Sequence, residues 1–150
     1  MLHTGFILSL GICTLASCVS QKNNATDGQD SLRIELAEGQ QELLKEYPML
    51  IKFTGIVEDN RCPKGVNCIW AGVAVARIEI TEKTANTISL NLATTEMEKR
   101  GYQKSATSNG YTFLLHDVSP YPTAEQRAPS LKGTYKITIT IHRNKTTSPD

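Results

Sequence analysis

The sequence predicts an all-β protein, an antiparallel immunoglobulin-like β-sandwich of about seven strands, with a small closed β-barrel as the alternative. Two observations lead to this prediction. Between residues 32 and 145, apolar and polar side chains repeatedly alternate with a period of two, which is typical of strands that bury one face. Glycine, asparagine and proline separate these segments, and no segment carries a sustained helical stripe bounded by capping residues.

Seven segments alternate in this way, namely residues 32–36, 41–44, 50–57, 73–80, 87–92, 110–118 and 135–142. The last is the clearest, because Tyr135 and the three isoleucines that follow at every second position alternate with polar residues. In segment 50–57, the predicted core face carries Ile51, Phe53 and Val57. Residues 94–100 contain helix formers around one large apolar residue, so we expect at most a short surface turn there.

Composition narrows the possible functions. The chain has 150 residues, with Lys plus Arg at 16, Asp plus Glu at 15 and a formal charge of +1. This balance lacks the basic footprint of nucleic-acid binding, so we expect no nucleic-acid partner. A hydrophobic fraction of 39% is that of one ordinary folded domain rather than of a disordered chain.

The N-terminus is typical of an exported protein. Residues 6–16 are apolar, but they are too few to span a bilayer as a helix of about 20 residues. Their length is that of a signal-peptide core. The following Leu15-Ala16-Ser17-Cys18 resembles the bacterial lipobox, which implies cleavage before Cys18 and lipidation of that cysteine. An ordinary cleaved signal and a buried N-terminal segment are the alternatives.

The predicted organisation follows from this resemblance. Residues 1–17 form a lipoprotein signal peptide, residues 18–31 a flexible tether, residues 32–145 the β-sandwich domain and residues 146–150 a disordered tail. Position 19 is Val rather than the Asp that favours inner-membrane retention, so we expect a lipid anchor in the outer membrane of the bacterial cell envelope. The domain would then face the periplasm or the cell surface.

One dense group of unusual residues lies between two predicted strands, at residues 59–72, and is called the cysteine loop below. In an exported protein, Cys62 and Cys68 are expected to form a disulfide. Closing such a short ring stabilises the fold by roughly 2 kcal/mol on the chain-entropy estimate. Pro63 and Gly65 make the tight ring feasible, and Arg61 is expected to pair with Asp59 or to bond loop carbonyls.

The residue pattern of the cysteine loop also resembles a segment of other bacterial proteins. Asp59-x-Arg61-Cys62-Pro63 followed by Cys68-x-Trp70-Ala71-Gly72 resembles a segment that recurs in a family of uncharacterised bacterial lipoproteins, where it joins two β-strands. Asn60 stands where Ser is more usual. The resemblance implies a fold and a location, and it implies no reaction.

Four interpretations of the cysteine loop remain open. It is a stapled structural connection with Trp70 in the core, or a recognition surface built from Arg61, Lys64 and Trp70, since Arg and Trp are favoured at binding hot spots. A redox role fits poorly, because five residues separate the cysteines rather than two. A metal role would need more ligands than two thiols, and we predict no metal site.

The sequence contains no recognisable catalytic motif. His116-Asp117 is the only adjacent pair of histidine and carboxylate, and neighbours on a strand point to opposite faces. The sequence therefore favours a non-enzymatic, lipid-anchored binding or structural accessory module that needs no cofactor. Its partners would be the membrane, through the N-terminal lipid, and an envelope protein or a small ligand. The alternative is a periplasmic small-ligand or metal-handling protein that uses His116 or the residues around Cys62 and Trp70.

Overall fold

The computed structural model describes residues 30–83 and 86–144. The predicted signal peptide, the lipidated Cys18, nearly all of the predicted tether and the predicted C-terminal tail lie outside these residues. Within them, the chain forms eight strands: β1 (Ser31–Ala37), β2 (Gln41–Leu44), β3 (Met49–Asp59), β4 (Ala74–Glu82), β5 (Thr87–Ala93), β6 (Ser105–Ser108), β7 (Tyr111–Ser119) and β8 (Lys136–Arg143). Two single-turn 3-10 helices, Glu98–Arg100 and Ala128–Leu131, lie in the connections.

The strands form two four-stranded antiparallel sheets, ordered β1-β8-β7-β6 and β2-β3-β4-β5. The predicted β-sandwich is confirmed, and the described strands do not close into the alternative barrel. The strand order refines the immunoglobulin-like part of the prediction. Almost every strand pairs with its neighbour in the chain, whereas immunoglobulin sandwiches exchange strands between their sheets.

The core lies between the sheets and contains the alternating residues that the sequence indicates. Ile78 and Ile80 of β4, Phe113 of β7 and Ile137 and Ile139 of β8 are all buried. Strand β6 was not predicted, because Ser105–Ser108 offers one alanine and no large apolar residue to produce a pattern. Its place is determined by pairing with β7.

Val57 corrects the predicted core face of β3. The side chain is 50% exposed, while the neighbouring Ile56 packs against the core. Two register shifts interrupt the pairing of β3 with β4, between Phe53 and Gly55 and between Ile56 and Glu58. A bulge inserts one unpaired residue, so the alternation changes phase and the valine turns outward.

Among the described residues, no helix has the length and the apolar character needed to cross a bilayer.

Candidate recognition surface at the cysteine loop

The cysteine loop leaves the end of β3 and returns into β4 as an extension of that hairpin. The amide of Asn60 donates to the carbonyl of Val73 over 2.9 Å, and the amide of Cys62 donates to the carbonyl of Ala71 over 2.8 Å. Gly72 closes the path with a φ of 76°, and a Cβ atom there would lie 2.0 Å from the Asn60 carbonyl oxygen. Only glycine fits this position, which explains the last residue of the motif.

The predicted disulfide joins Cys62 to Cys68, with the two Cα atoms 5.9 Å apart, a usual separation for such a bond. Inside the ring, the amide of Val66 donates to the carbonyl of Pro63 over 3.1 Å, and Gly65 has a φ of 82°. The ring is therefore a short turn closed both by a covalent bond and by a backbone hydrogen bond.

A buried ion pair holds the base of the loop. The Arg61 guanidinium donates to both carboxylate oxygens of Asp59, from Nε over 2.8 Å and from NH2 over 2.7 Å. The two side chains are only 4% and 3% exposed. The Tyr135 hydroxyl also reaches Asp59 Oδ2 at 2.9 Å, and burial, together with that carboxylate, raises the pKa of the Tyr135 phenol far above its usual range.

The same guanidinium fastens the loop to the opposite sheet. Its NH1 donates to the carbonyl of Val118, at the end of β7, and its NH2 donates to the carbonyl of Pro120 over 3.0 Å. The predicted pairing of Arg61 with Asp59 is confirmed, whereas the carbonyls that it bonds lie outside the cysteine loop, on β7 and in the connection that follows it. The structure removes Arg61 from the predicted recognition surface, because the residue is 6% exposed and all three guanidinium nitrogens already donate hydrogen bonds within the domain.

The position of Trp70 differs from the alternative that placed this side chain in the core. It is 38% exposed and lies outside the core, against the Arg100 guanidinium, whose Cζ is 4.9 Å from the ring centroid. The interpretation that places Trp70 in the core is therefore wrong. Sequence reasoning could not place this ring, because its neighbour Arg100 comes from the 3-10 turn after β5.

Exposed apolar side chains concentrate around the disulfide ring. Within the described residues, six large hydrophobic side chains are exposed. Val66, Ile69 and Trp70 belong to the cysteine loop, and Ile69 is fully exposed at 108%. The fourth is Tyr121, which lies beside the loop because the amide of Lys64 donates to the neighbouring carbonyl of Pro122 over 3.0 Å.

Two cations accompany these apolar groups. Lys64 Nζ lies 5.6 Å from the centroid of the Tyr121 ring, and Arg100 lies over Trp70. Among the described residues, neither cation has a carboxylate oxygen within 4.0 Å. We call Lys64, Val66, Ile69, Trp70, Arg100 and Tyr121 the tip surface.

The acidic side chains nearest the base of the loop are already engaged. Glu58 Oε1 accepts hydrogen bonds from Asn60 Nδ2 and, over 2.8 Å, from the Tyr102 hydroxyl. That hydrogen bond is the main reason that the pKa of the Tyr102 phenol is raised. Asp59 is paired with Arg61, whereas Lys64 and Arg100 have no ion-pair partner among the described residues.

A groove of about 290 Å³ opens beside the base of the loop, between β3 and the 3-10 turn Ala128–Leu131. Its walls include Glu38, Val57, Lys132 and Tyr135. Glu38 Oε2 accepts a hydrogen bond from the Gly133 amide over 2.7 Å, so this carboxylate serves to hold the turn before β8.

His116 lies away from the tip surface, on the outer face of the β7 sheet. A register shift between Leu115 and Asp117 leaves both His116 and Asp117 exposed, so the expected alternation of faces fails at this bulge. The Nε2 atom of His116 lies 2.7 Å from Thr140 Oγ1. Partial desolvation of the ring and nearby positive charge lower the pKa of the His116 imidazole. Within the described parts of the chain, no three His, Cys, Asp or Glu side chains are grouped to hold a metal ion.

Comparison with known proteins adds no relative. No family model, curated protein or solved structure matches the chain. The resemblance of the cysteine loop to bacterial lipoproteins therefore stays a prediction, and the function is argued from the residues themselves.

Proposed function

We propose that the protein is a lipid-anchored, non-enzymatic recognition module of the bacterial cell envelope, and that its tip surface makes the contact. The observation that carries this proposal is the grouping of four of the six exposed large hydrophobic side chains of the described residues on or beside one cross-linked loop. Scattered apolar side chains are normal on a protein surface, whereas a group of them is typical of an interaction site.

The rigidity of the loop also supports binding. The disulfide closes its ring, the Asp59–Arg61 pair holds its base, and backbone hydrogen bonds join its two arms. A loop that is ordered before it meets a partner loses little conformational entropy on binding. The tip surface includes Trp70, Tyr121 and Arg100, and these three residue types are enriched at protein interfaces and binding hot spots.

The anchoring part of the proposal is supported by the sequence around Cys18, outside the described residues. The short apolar run and the following Leu15-Ala16-Ser17-Cys18 match the order of a lipoprotein signal. The near-neutral charge of the chain gives little electrostatic attraction to a membrane, so membrane association is assigned to the lipid.

Fatty-acid labelling tests the anchor directly. The full chain is expressed in an exporting bacterial host with radiolabelled palmitate, beside the variants Cys18→Ser and Cys13→Ser. We expect the label in the wild type and in Cys13→Ser, since Cys13 is removed with the signal, and its loss in Cys18→Ser. Label retained by Cys18→Ser, or lost from Cys13→Ser alone, contradicts the assignment of the anchor.

A further inference from the structure

The strand register places the tip surface and the start of the domain at opposite ends of the sandwich. Ser31, the first residue of β1, pairs with His142, whereas Ala37 at the end of β1 pairs with Lys136. Lys136 also pairs with Ser119, the last residue of β7. A seven-residue strand spans about 20 Å, so at least that length of sheet separates the two ends.

The cysteine loop is attached at the end that holds Ala37, Ser119 and Lys136. Arg61 bonds the carbonyls of Val118 and Pro120 there, and Asp59 accepts from Tyr135, one residue before β8. At the other end, the Tyr47 hydroxyl donates to Asp30 over 3.2 Å, which fixes the β2–β3 turn next to the start of the domain. A tether that arrives at Asp30 therefore meets the end of the sandwich remote from the tip surface.

The chemistry of the tip surface specifies the kind of partner. Ile69 protrudes with its whole side chain in solvent, so its burial requires a concave apolar site on the other molecule. Lys64 lies in the adjoining disulfide ring and Arg100 lies over the neighbouring Trp70. Neither cation has a carboxylate partner among the described residues, so acidic groups around such a site would complement them.

From these observations, and resting on the function proposed above, we propose that the tip surface docks into an apolar pocket with an acidic rim on an envelope protein that lies on the side of the domain facing away from the anchoring membrane. Ile69 fills the pocket, while Lys64 and Arg100 meet the rim. The chain reaches the domain at the opposite end, so contact of the tip surface with the anchoring membrane would require the domain to turn over on its tether.

Site-specific photocrosslinking in living cells tests this proposal. A photoreactive amino acid replaces Ile69 in the full-length exported chain, and in a separate variant it replaces Leu43. Leu43 is the matched control, because it is an exposed aliphatic residue, 69% exposed, next to the β2–β3 turn at the other end of the sandwich. We expect a protease-sensitive adduct from position 69 and none from position 43.

Charge reversal then separates specific docking from incidental capture. Lys64→Glu with Arg100→Glu, introduced beside the crosslinker at position 69, should lower the adduct yield about tenfold, because both cations would then repel an acidic rim. Lys45→Glu with Lys83→Glu reverses two exposed charges near the other end and should leave the yield unchanged. Equal circular dichroism spectra and melting temperatures check that all the variants are folded.

Several results would overturn the docking proposal. These are no adduct at position 69, an equal adduct at position 43, an adduct unaffected by Lys64→Glu with Arg100→Glu, and an adduct of lipid or polysaccharide that resists protease. Palmitate labelling of the same cells keeps the two proposals apart. A palmitate-labelled chain that gives no adduct refutes the docking proposal alone. An unlabelled chain that still gives the charge-dependent adduct refutes the lipid anchor, and with it the placement of the partner on the side facing away from the membrane.

Discussion

Removing the Arg61 guanidinium tests whether the buried ion pair fastens the cysteine loop to the opposite sheet. In Arg61→Met, the Asp59 carboxylate loses both bonds to the guanidinium, and the carbonyls of Val118 and Pro120 lose a donor. Since the paired side chains are 4% and 3% exposed, water replaces these bonds poorly. Removing one partner of a buried pair typically costs about 3–5 kcal/mol, and we expect the free energy of unfolding to fall by that amount.

Urea unfolding followed by far-ultraviolet circular dichroism measures this loss. Lys136→Met is the control, because the Lys136–Glu35 pair is 3.5 Å long and more than half exposed, so its removal should change the free energy of unfolding by less than about 0.5 kcal/mol. If Arg61→Met prevents folding, Tyr135→Phe is the milder variant. It removes one hydroxyl that bonds the Asp59 carboxylate, and it should lower the free energy of unfolding by about 1–2 kcal/mol.

A double substitution shows whether the loss comes from the stranded charge. Asp59→Leu combined with Arg61→Met leaves no unpaired ion, so it should be more stable than Arg61→Met alone. The reasoning is refuted if Arg61→Met lies within about 1 kcal/mol of the wild type, as the Lys136→Met control does. It is also refuted if the double variant is the less stable of the two.

Three further predictions concern the loop and the sheet. Replacing Cys62 and Cys68 by Ser should lower the free energy of unfolding, measured by urea unfolding, by about 2 kcal/mol. Thiol labelling of the exported wild type should find neither cysteine free, and ready labelling of either one would exclude the disulfide. Gly72→Ala should lower the free energy of unfolding by more than about 2 kcal/mol, because its Cβ would lie 2.0 Å from a backbone oxygen. Gly65→Ala has open space around the new Cβ and should lower it by only about 1 kcal/mol. Equal losses in the two variants would contradict the steric argument. The His116 imidazole should titrate below 6.5 by NMR, since partial desolvation of the ring and nearby cations lower its pKa. As the unfolded state then binds the proton more readily, stability should decrease as pH falls from 6.5 toward the folded pKa, and a folded-state titration at or above 6.5 would contradict this.

The strands could be predicted wherever burial alternates along a long segment. Tyr135 and the alternating isoleucines of β8 show this well, because every second side chain enters the core. The prediction failed at Val57, where bulges change the phase of β3, and at β6, where short polar residues carry no alternation. In both places the outcome depends on the partner strand, which local sequence does not reveal.

The candidate site was predictable only where its contacts are local. The disulfide and the Asp59–Arg61 pair join residues that lie close together in the sequence, and both were expected. The exposure of Trp70 depends on Arg100, and the role of Tyr121 depends on a loop about sixty residues beyond β3. An arginine is usually exposed, so the burial of Arg61 could be inferred only from the carboxylate two residues before it.

The full exposure of Ile69 separates the recognition of a partner from the stability of the fold. No part of its side chain is buried, so replacing it removes no core contact and leaves the sandwich unaffected. The bonds that position the neighbouring ring are made by Cys62, Cys68 and Arg61. Position 69 can therefore diversify toward new partners, while the scaffold that presents it remains unchanged.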